Sequence, residues 1–321
     1  MALNYPRLDN ASGIWTMKEV ADAVKGGYWP NAGARGCFGG GAAPSVSDVI
    51  DYITIATTGN ATDFGNLTRS EEAIAGIASF TRGFFCGGDE PSGYSDVIDY
   101  VTIVTTGNAS DFGDLTEQRQ GSASYSNGTR GVWHAGHNGV SVTDTIDYIT
   151  IASAGNATDF GNSTSARGSG CSGCSNGTRG VAGGGSSGSN VIDFIIIAST
   201  GNATDFGDLT VGRDGPGACS DGTKGVWGGG SDSRLNTMDY INMSSSGNAS
   251  DFGDLTTGRT RQSGVGNSTR GVCGGGDIEP AKQNIIDYVT IASTGDAADF
   301  GDLSSVRALH RGASNGHGGL A

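Results

Sequence analysis

Short apolar runs recur along most of the chain at a nearly fixed interval, each interrupted by a single acidic position. The clearest copy is Asn190-Val-Ile-Asp-Phe-Ile-Ile-Ile-Ala-Ser-Thr-Gly-Asn-Ala-Thr-Asp-Phe-Gly-Asp-Leu209, which reads as strand, tight turn, strand. The first Asp of each copy falls at Asp51, Asp99, Asp147, Asp193, Asp239 and Asp287, so the units repeat every 46 or 48 residues. A second Asp follows twelve residues later in all six, at Asp63, Asp111, Asp159, Asp205, Asp251 and Asp299. A period in this range marks a repeat architecture, and the absence of insertions is what a hairpin with a turn-fixed register requires.

Each unit divides into four predicted strands. In the unit from Arg167 to Leu209, strand A lies near Gly170–Cys174, strand B is Arg179–Gly185, strand C is Val191–Ser199 and strand D lies near Thr204–Leu209. Asn176-Gly177 predicts a type I′ hairpin between A and B, repeated at Asn127-Gly128, Asp221-Gly222 and Asn315-Gly316, with Asn267-Ser268 as a weaker form. The C-to-D turn carries Gly-Asn in five copies and Gly295-Asp296 in the sixth.

Strand C is apolar on both faces, with Ile50, Tyr52 and Ala56 on one side, Ile53 and Ile55 on the other, and Asp51 the polar exception. An antiparallel sheet covered on both faces must stand between two others. Radial stacking of four-stranded sheets, a β-propeller, satisfies this for every copy. The first unit lacks a strand A, and a spare one follows the last unit, where Ala313-Ser-Asn-Gly316 aligns with Cys174-Ser-Asn-Gly177. The expected fold is therefore all-β, a six-bladed propeller of four-stranded antiparallel blades closed by joining N- and C-terminal strands, over residues 35–321. A seventh blade has no repeat signature to draw on, and an open solenoid is the competing arrangement.

Residues 1–34 stand outside the repeat. Thr16-Met-Lys-Glu19 is a capping-box pattern, and Met17, Val20, Ala21 and Val24 follow at helical spacing until Gly26-Gly27. So short a helix is unstable alone, so its apolar face must dock, either on the repeat domain or on another protein. Trp15, Val20, Val24 and Trp29 are its candidate docking residues.

Composition narrows the partners. Glycine supplies 58 of 321 residues and charged residues 16%, suiting short strands and turns. A net charge of −14 with 19 Lys and Arg argues against nucleic acid. Neither a membrane-length apolar run nor a signal-peptide pattern is present, so membrane insertion and standard secretion are not expected. Cys171-Ser-Gly-Cys174 has metal-pair spacing but lacks a second pair, and Cys174 and Cys219 occupy a core position of the repeat.

The units resemble kelch repeats. Paired glycines follow a hydrophobic strand at Gly39-Gly40, Gly87-Gly88, Gly183-Gly184, Gly228-Gly229 and Gly274-Gly275, and an aromatic occupies strand C at Tyr52, Tyr100, Tyr148, Phe194, Tyr240 and Tyr288. An Arg follows strand D at Arg119, Arg167, Arg213, Arg259 and Arg307. Phe stands where kelch motifs carry Trp, the third unit reads His134-Ala-Gly136, and the first has Glu71 where the others have Arg. Together with Gly13-Ile-Trp-Thr-Met-Lys-Glu-Val-Ala-Asp-Ala-Val-Lys-Gly-Gly-Tyr-Trp-Pro30, the units resemble virion structural proteins of tailed bacteriophages, such as fibre or surface-appendage proteins. That resemblance implies a virion location after synthesis in the host cytoplasm, other virion proteins as partners of the N-terminal segment, and a host surface glycan or protein as ligand.

Six copies of one Asp and five of one Arg point to architecture, with Asp51 and its equivalents binding backbone N–H groups or an inter-blade Arg. Asp-Phe-Gly lacks the other kinase elements, Asp205-Phe-Gly-Asp208 lacks calcium-loop oxygen density, and the Asn-X-Ser/Thr triplets are accounted for by turns. His134 and His137 lack identifiable ligand partners for a metal, and the Arg residues are too evenly spread for a sialidase-like site. No catalytic residue, metal or cofactor is expected. The alternatives are a carbohydrate-active or copper-oxidase-like propeller enzyme and an intracellular interaction scaffold. The A–B and C–D turns of one face are nearly uniform, whereas the B–C and D–A connections of the other vary. Recognition concentrates in variable loops on rigid scaffolds, which makes Tyr94, His137, Arg234 and Glu279 the candidate partner contacts.

Overall fold

The computed structural model describes residues 34–316 except 43, 169, 186, 232 and 279. Among them, 24 strands form six four-stranded antiparallel sheets, and no helix occurs. The helix expected within residues 1–34, with Trp15, Val20, Val24 and Trp29, lies outside the described residues. Blade 1 is ordered β24-β1-β2-β3, where β24 (Arg311–Ser314) pairs antiparallel with β1 (Arg35–Gly39) through Cys37↔Ala313 and Phe38↔Gly312. The two ends of the repeat are joined in one sheet, as the strand count predicts.

The remaining blades take four consecutive strands each: β4 (Ala75–Ala78) to β7 (Ser110–Asp114), β8 (Ala123–Ser126) to β11 (Thr158–Arg167), and β12 (Cys171–Ser175) to β15 (Thr204–Asp208). β16 (Gly217–Ser220) to β19 (Ser250–Asp254) and β20 (Ser263–Gly266) to β23 (Ala298–Asp302) complete the ring. The first strands β24, β4, β8, β12, β16 and β20 touch one another in that cyclic order and so surround the axis.

The apolar residues on the two faces of strand C enter different cores. Ile50 and Tyr52 pack with Phe85, Val101 and Ile103 of blade 2, while Ile53 and Ile55 pack with Val265, Val272 and Phe300 of blade 6. Six such cores, one per blade interface, make up the interior. Ala56 is exposed, because strand C ends at Thr54 and the chain has already entered its turn. Strand C of blade 4 likewise stops at Ile196, short of Ser199.

The Asp-Phe-Gly triplet is a β-bulge. In blade 1, Ile50 faces Gly65 and Asp51 faces Asp63, which leaves Phe64 as the extra residue, and the same register shift recurs in every blade. The bulged Phe turns into the inter-blade core, edge-on to the strand C aromatic, as Phe64 is to Tyr52 at 5.9 Å between ring centres. The following Gly is required by the neighbouring blade, since a Cβ on Gly161 would stand 2.5 Å from the Gly201 carbonyl oxygen.

The A–B turns correct the type I′ expectation. Gly177 has φ +80°, but Asn176 is not in the positive-φ region. Instead the Asn176 side-chain oxygen accepts from the N–H groups of Thr178 and Arg179, at 3.0 and 2.7 Å. Asn127, Asp221 and Asn267 do the same, and the Ser79 hydroxyl substitutes in blade 2. A side-chain acceptor closes the turn, which explains why Asn267-Ser268 works without glycine.

Candidate binding face

Three sets of repeated polar contacts tie each blade to the next and fix where the two faces lie. The buried strand C Asp accepts from the connection entering its blade: Asp51 is bound by the Ser304 hydroxyl at 2.7 Å and by Arg307 at 2.6 Å. Asp193 is bound by Thr164 at 2.6 Å and Arg167 at 2.5 Å, and Asp287 by Thr256 at 2.6 Å and Arg259 at 2.7 Å. Asp147 with Arg119 and Asp239 with Arg213 complete the set. The expectation of an architectural Asp–Arg ladder is met at five of six interfaces.

On the opposite side, the C–D turn of each blade bonds to strand D of the preceding one. Asn202 Oδ1 accepts from the Asn162 N–H at 3.1 Å, and the Gly201 N–H donates to the Phe160 carbonyl at 2.8 Å. Asn60, Asn108, Asn156, Asn248 and Asp296 repeat this around the ring. The cation that opens strand B lies over its own strand C ring and donates to a carbonyl of the next blade. Arg130, 4.7 Å from the Tyr148 ring centre, reaches the Ile197 carbonyl at 3.1 Å. The uniform turns are thus consumed in holding the ring, and the Asn of each turn serves the blade interface.

The sixth interface of the Asp ladder differs. Asp99 receives Thr68 at 2.8 Å but no Arg, because Glu71 occupies the Arg position and is 2% exposed with one carboxylate oxygen unpartnered. Burial, and then the charge of Asp99, push the Glu71 carboxyl up to about 9. Burial also raises Asp99 against its bonds from Thr68. At neutral pH Glu71 therefore carries its proton. Arg69 turns instead to Glu90, at 3.0 Å.

On the variable face the structure brings together two of the predicted contacts. Tyr94 and His137, from blades 2 and 3, meet edge to face with 5.8 Å between ring centres, and Gln120 donates to the Tyr94 hydroxyl at 2.7 Å. Beside them Val140 is 90% exposed at the tip of a loop whose Asn138 side chain accepts from the N–H groups of Val140 and Ser141. An exposed aliphatic side chain beside an amphipathic Tyr–His pair is suited to partner contact. Arg234 lies elsewhere, half-buried in the blade 5 loop at φ +54°, two blades further round the ring. Glu279 lies outside the described residues.

The histidine pair singled out by spacing separates. His134 is buried, its Nδ1 bonded to the Tyr125 hydroxyl at 2.8 Å and its Nε2 3.8 Å from Asp193, and burial lowers its pKa. His137 points to Tyr94 on the surface. Cys171 and Cys174 also separate, since residues three apart on a strand face opposite ways: Cys171 packs between blades 3 and 4, Cys174 between blades 4 and 5. All six thiols are free and buried, and burial pushes Cys37 to about 12 and Cys273 to about 11. Among the described residues no cluster of three His, Cys, Asp or Glu is placed to hold a metal.

Where the inner strands begin, at the variable-face end of the axis, a small open recess is lined by Ser122, Ser172, Ser263 and Arg311 among small residues. Farther along, the channel is shut by small side chains, with the Ser126, Ser175 and Ser220 hydroxyls each bonded to a carbonyl of the preceding blade. Arg311 is absent from the sequence expectations. Its one available signal is that the equivalent residues are Ala75, Ala123, Ser172, Gly217 and Ser263, a position where only one copy carries charge.

No protein-family model matches the chain, and no curated protein is similar to it in sequence.

Proposed function

We propose that this protein is a non-enzymatic recognition propeller, mounted through its N-terminal segment and presenting its variable face to a partner. The observation that carries the reading is the division of labour between the faces. The uniform turns are occupied by blade-to-blade bonds, while the tyrosine–histidine pair, the exposed Val140 and the axial recess all lie on the other face. The chain enters the ring beside the uniform turns, where Ala34 accepts from Ile55 and the Arg35 N–H is held by Asn315 Oδ1. A segment docked from there leaves the variable face pointing outward.

The setting is a tailed-phage particle, as a fibre, tail or capsid appendage of kelch-like type used in host attachment. Its support is the resemblance of residues 13–30 and of the paired-glycine units. The five buried Asp–Arg pairs favour a binding role over catalysis, because the repeated charges are already engaged in the scaffold. Mass spectrometry of purified particles tests the setting, and pre-incubating host cells with the isolated protein tests the role. The protein is expected in the particles and is expected to reduce adsorption in a dose-dependent way. Absence from the particles together with unchanged adsorption contradicts the reading.

A further inference from the structure

The geometry points to an oxyanion-binding site at the variable-face mouth of the central channel, in which Arg311 and Ser263 hold a carboxylate, sulfate or phosphate group. Arg311 opens the inner strand of blade 1 and extends across the axis. Its guanidinium donates to the Cys171 carbonyl of blade 4, diametrically opposite, at 3.3 Å, and to the Gln262 carbonyl of blade 6 at 3.4 Å. Both bonds are long for a charged donor, and they engage two of its five N–H groups.

What sets Arg311 apart is the company the other arginines keep. Arg119, Arg167, Arg213, Arg259 and Arg307 each pair with a buried Asp. Arg69 and Arg261 pair with Glu90 and Asp277, and five others lie over aromatic rings. Among the described residues Arg311 has neither a carboxylate in contact nor a ring beneath it. Asp214 acts on it only from beyond ion-pair distance, whereas five other buried arginines of the scaffold have a carboxylate in direct contact.

Ser263 is a second, independent sign. It lines the same recess, is 2% exposed, and its hydroxyl has no partner, whereas Ser122 and Ser172 donate to the Ala135 and Pro216 carbonyls at 2.8 and 2.6 Å. Buried hydroxyls are normally satisfied. The inner strands are also sheet edges, with backbone groups turned toward the axis that no further strand pairs. Planar guanidinium with a free hydroxyl beside it is the donor set that grips a carboxylate, sulfate or phosphate oxygen pair. The small-residue rings beyond close the channel, so the anionic group enters and the body of a larger ligand stays on the variable face.

The site does not depend on the recognition reading, because purified protein alone shows it. The test is melting temperature and calorimetric titration at constant ionic strength with acetate, sulfate, phosphate and glucuronate, chloride serving as the balancing ion. Wild-type protein is expected to give a saturable rise of about 2–5 °C with at least one of the four, since ligand binding to the native state raises stability by mass action. Arg311→Gln is expected to lose affinity about tenfold or more, and Ser263→Ala to lose a smaller part. Arg311→Lys, which keeps the charge without the planar fork, falls between wild type and Arg311→Gln and serves if the Gln variant does not fold. Glucuronate binding more tightly than acetate assigns the site to an acidic sugar, and inorganic sulfate or phosphate binding best assigns it to the free ion. A wild-type response that is absent, unsaturable or undiminished in the Arg311 variants overturns the site.

Discussion

Asp99 shows how much one residue of the repeat carries. Five of its counterparts are neutralised by an arginine delivered from the preceding connection, and Asp99 instead faces Glu71, whose carboxyl is lifted to about 9 by burial and by Asp99 itself. The unfolded chain releases that proton near 4.5, so between the two values the native state binds more protons than the unfolded one. Stability is therefore lost as pH rises through that window. Replacing Glu71 by Gln removes the penalty while keeping the shape. The variant is expected to melt about 2–6 °C above wild type at pH 8, and to match it near pH 4, by thermal denaturation across pH. Equal differences at both pH values contradict the assignment. The departure at Glu71 is visible in the sequence, but its consequence depends on which blade the residue leans against. That is a matter of three-dimensional neighbours, and the same holds for Arg311, whose partners are Cys171 and Gln262 far away in sequence.

At the scale of elements, local pattern is most informative where one requirement is imposed six times. The two-faced apolar character of strand C, the spacing of the two Asp residues and the surplus strand at the C-terminal end together determine the blade order that the structure shows. Turn chemistry is less readable, because Asn-Gly serves two geometries. Here the Asn176 side chain, acting as acceptor, supplies what positive φ would have supplied in a type I′ turn. The Asp-Phe-Gly bulge is illegible for a different reason, since its glycine is demanded by a backbone approaching from the next blade. Gly161→Ala places a Cβ against the Gly201 carbonyl and is expected to cost about 2–4 kcal/mol in denaturant unfolding. Gly201→Ala meets no atom within 4 Å, and only its φ of +154° opposes it, so it is expected to cost less. A reversed order would mean that the blades do not approach there as described.

Across the whole molecule the closed ring gives two faces, one of uniform turns and one of varied connections. Strand edges that would otherwise be exposed are paired where β24 meets β1, and the closing interface carries the bonds Gly59 to Phe300, Asn60 to Asp302 and Arg270 to Ile55 that recur around the ring, together with the Arg307 to Asp51 pair that four of the other five interfaces share. On the variable face the ring uses the Ser or Thr and the Arg that reach a buried Asp, as at Asp51, and the candidate contacts Tyr94 and His137 lie together there, while Arg234 sits on a separate blade. The claim that the uniform face is mounted and the variable face presented can be read from two lysines. Lys224 opens strand B of blade 5 on the uniform side, Lys282 opens strand C of blade 6 on the variable side, and both are half-buried in the isolated protein. The direct measurement is amine-reactive labelling of intact particles against the free protein, quantified per lysine by mass spectrometry. Lys282 is expected to react on particles as it does in the free protein while Lys224 is protected, and protection of Lys282 with Lys224 left reactive would contradict the account.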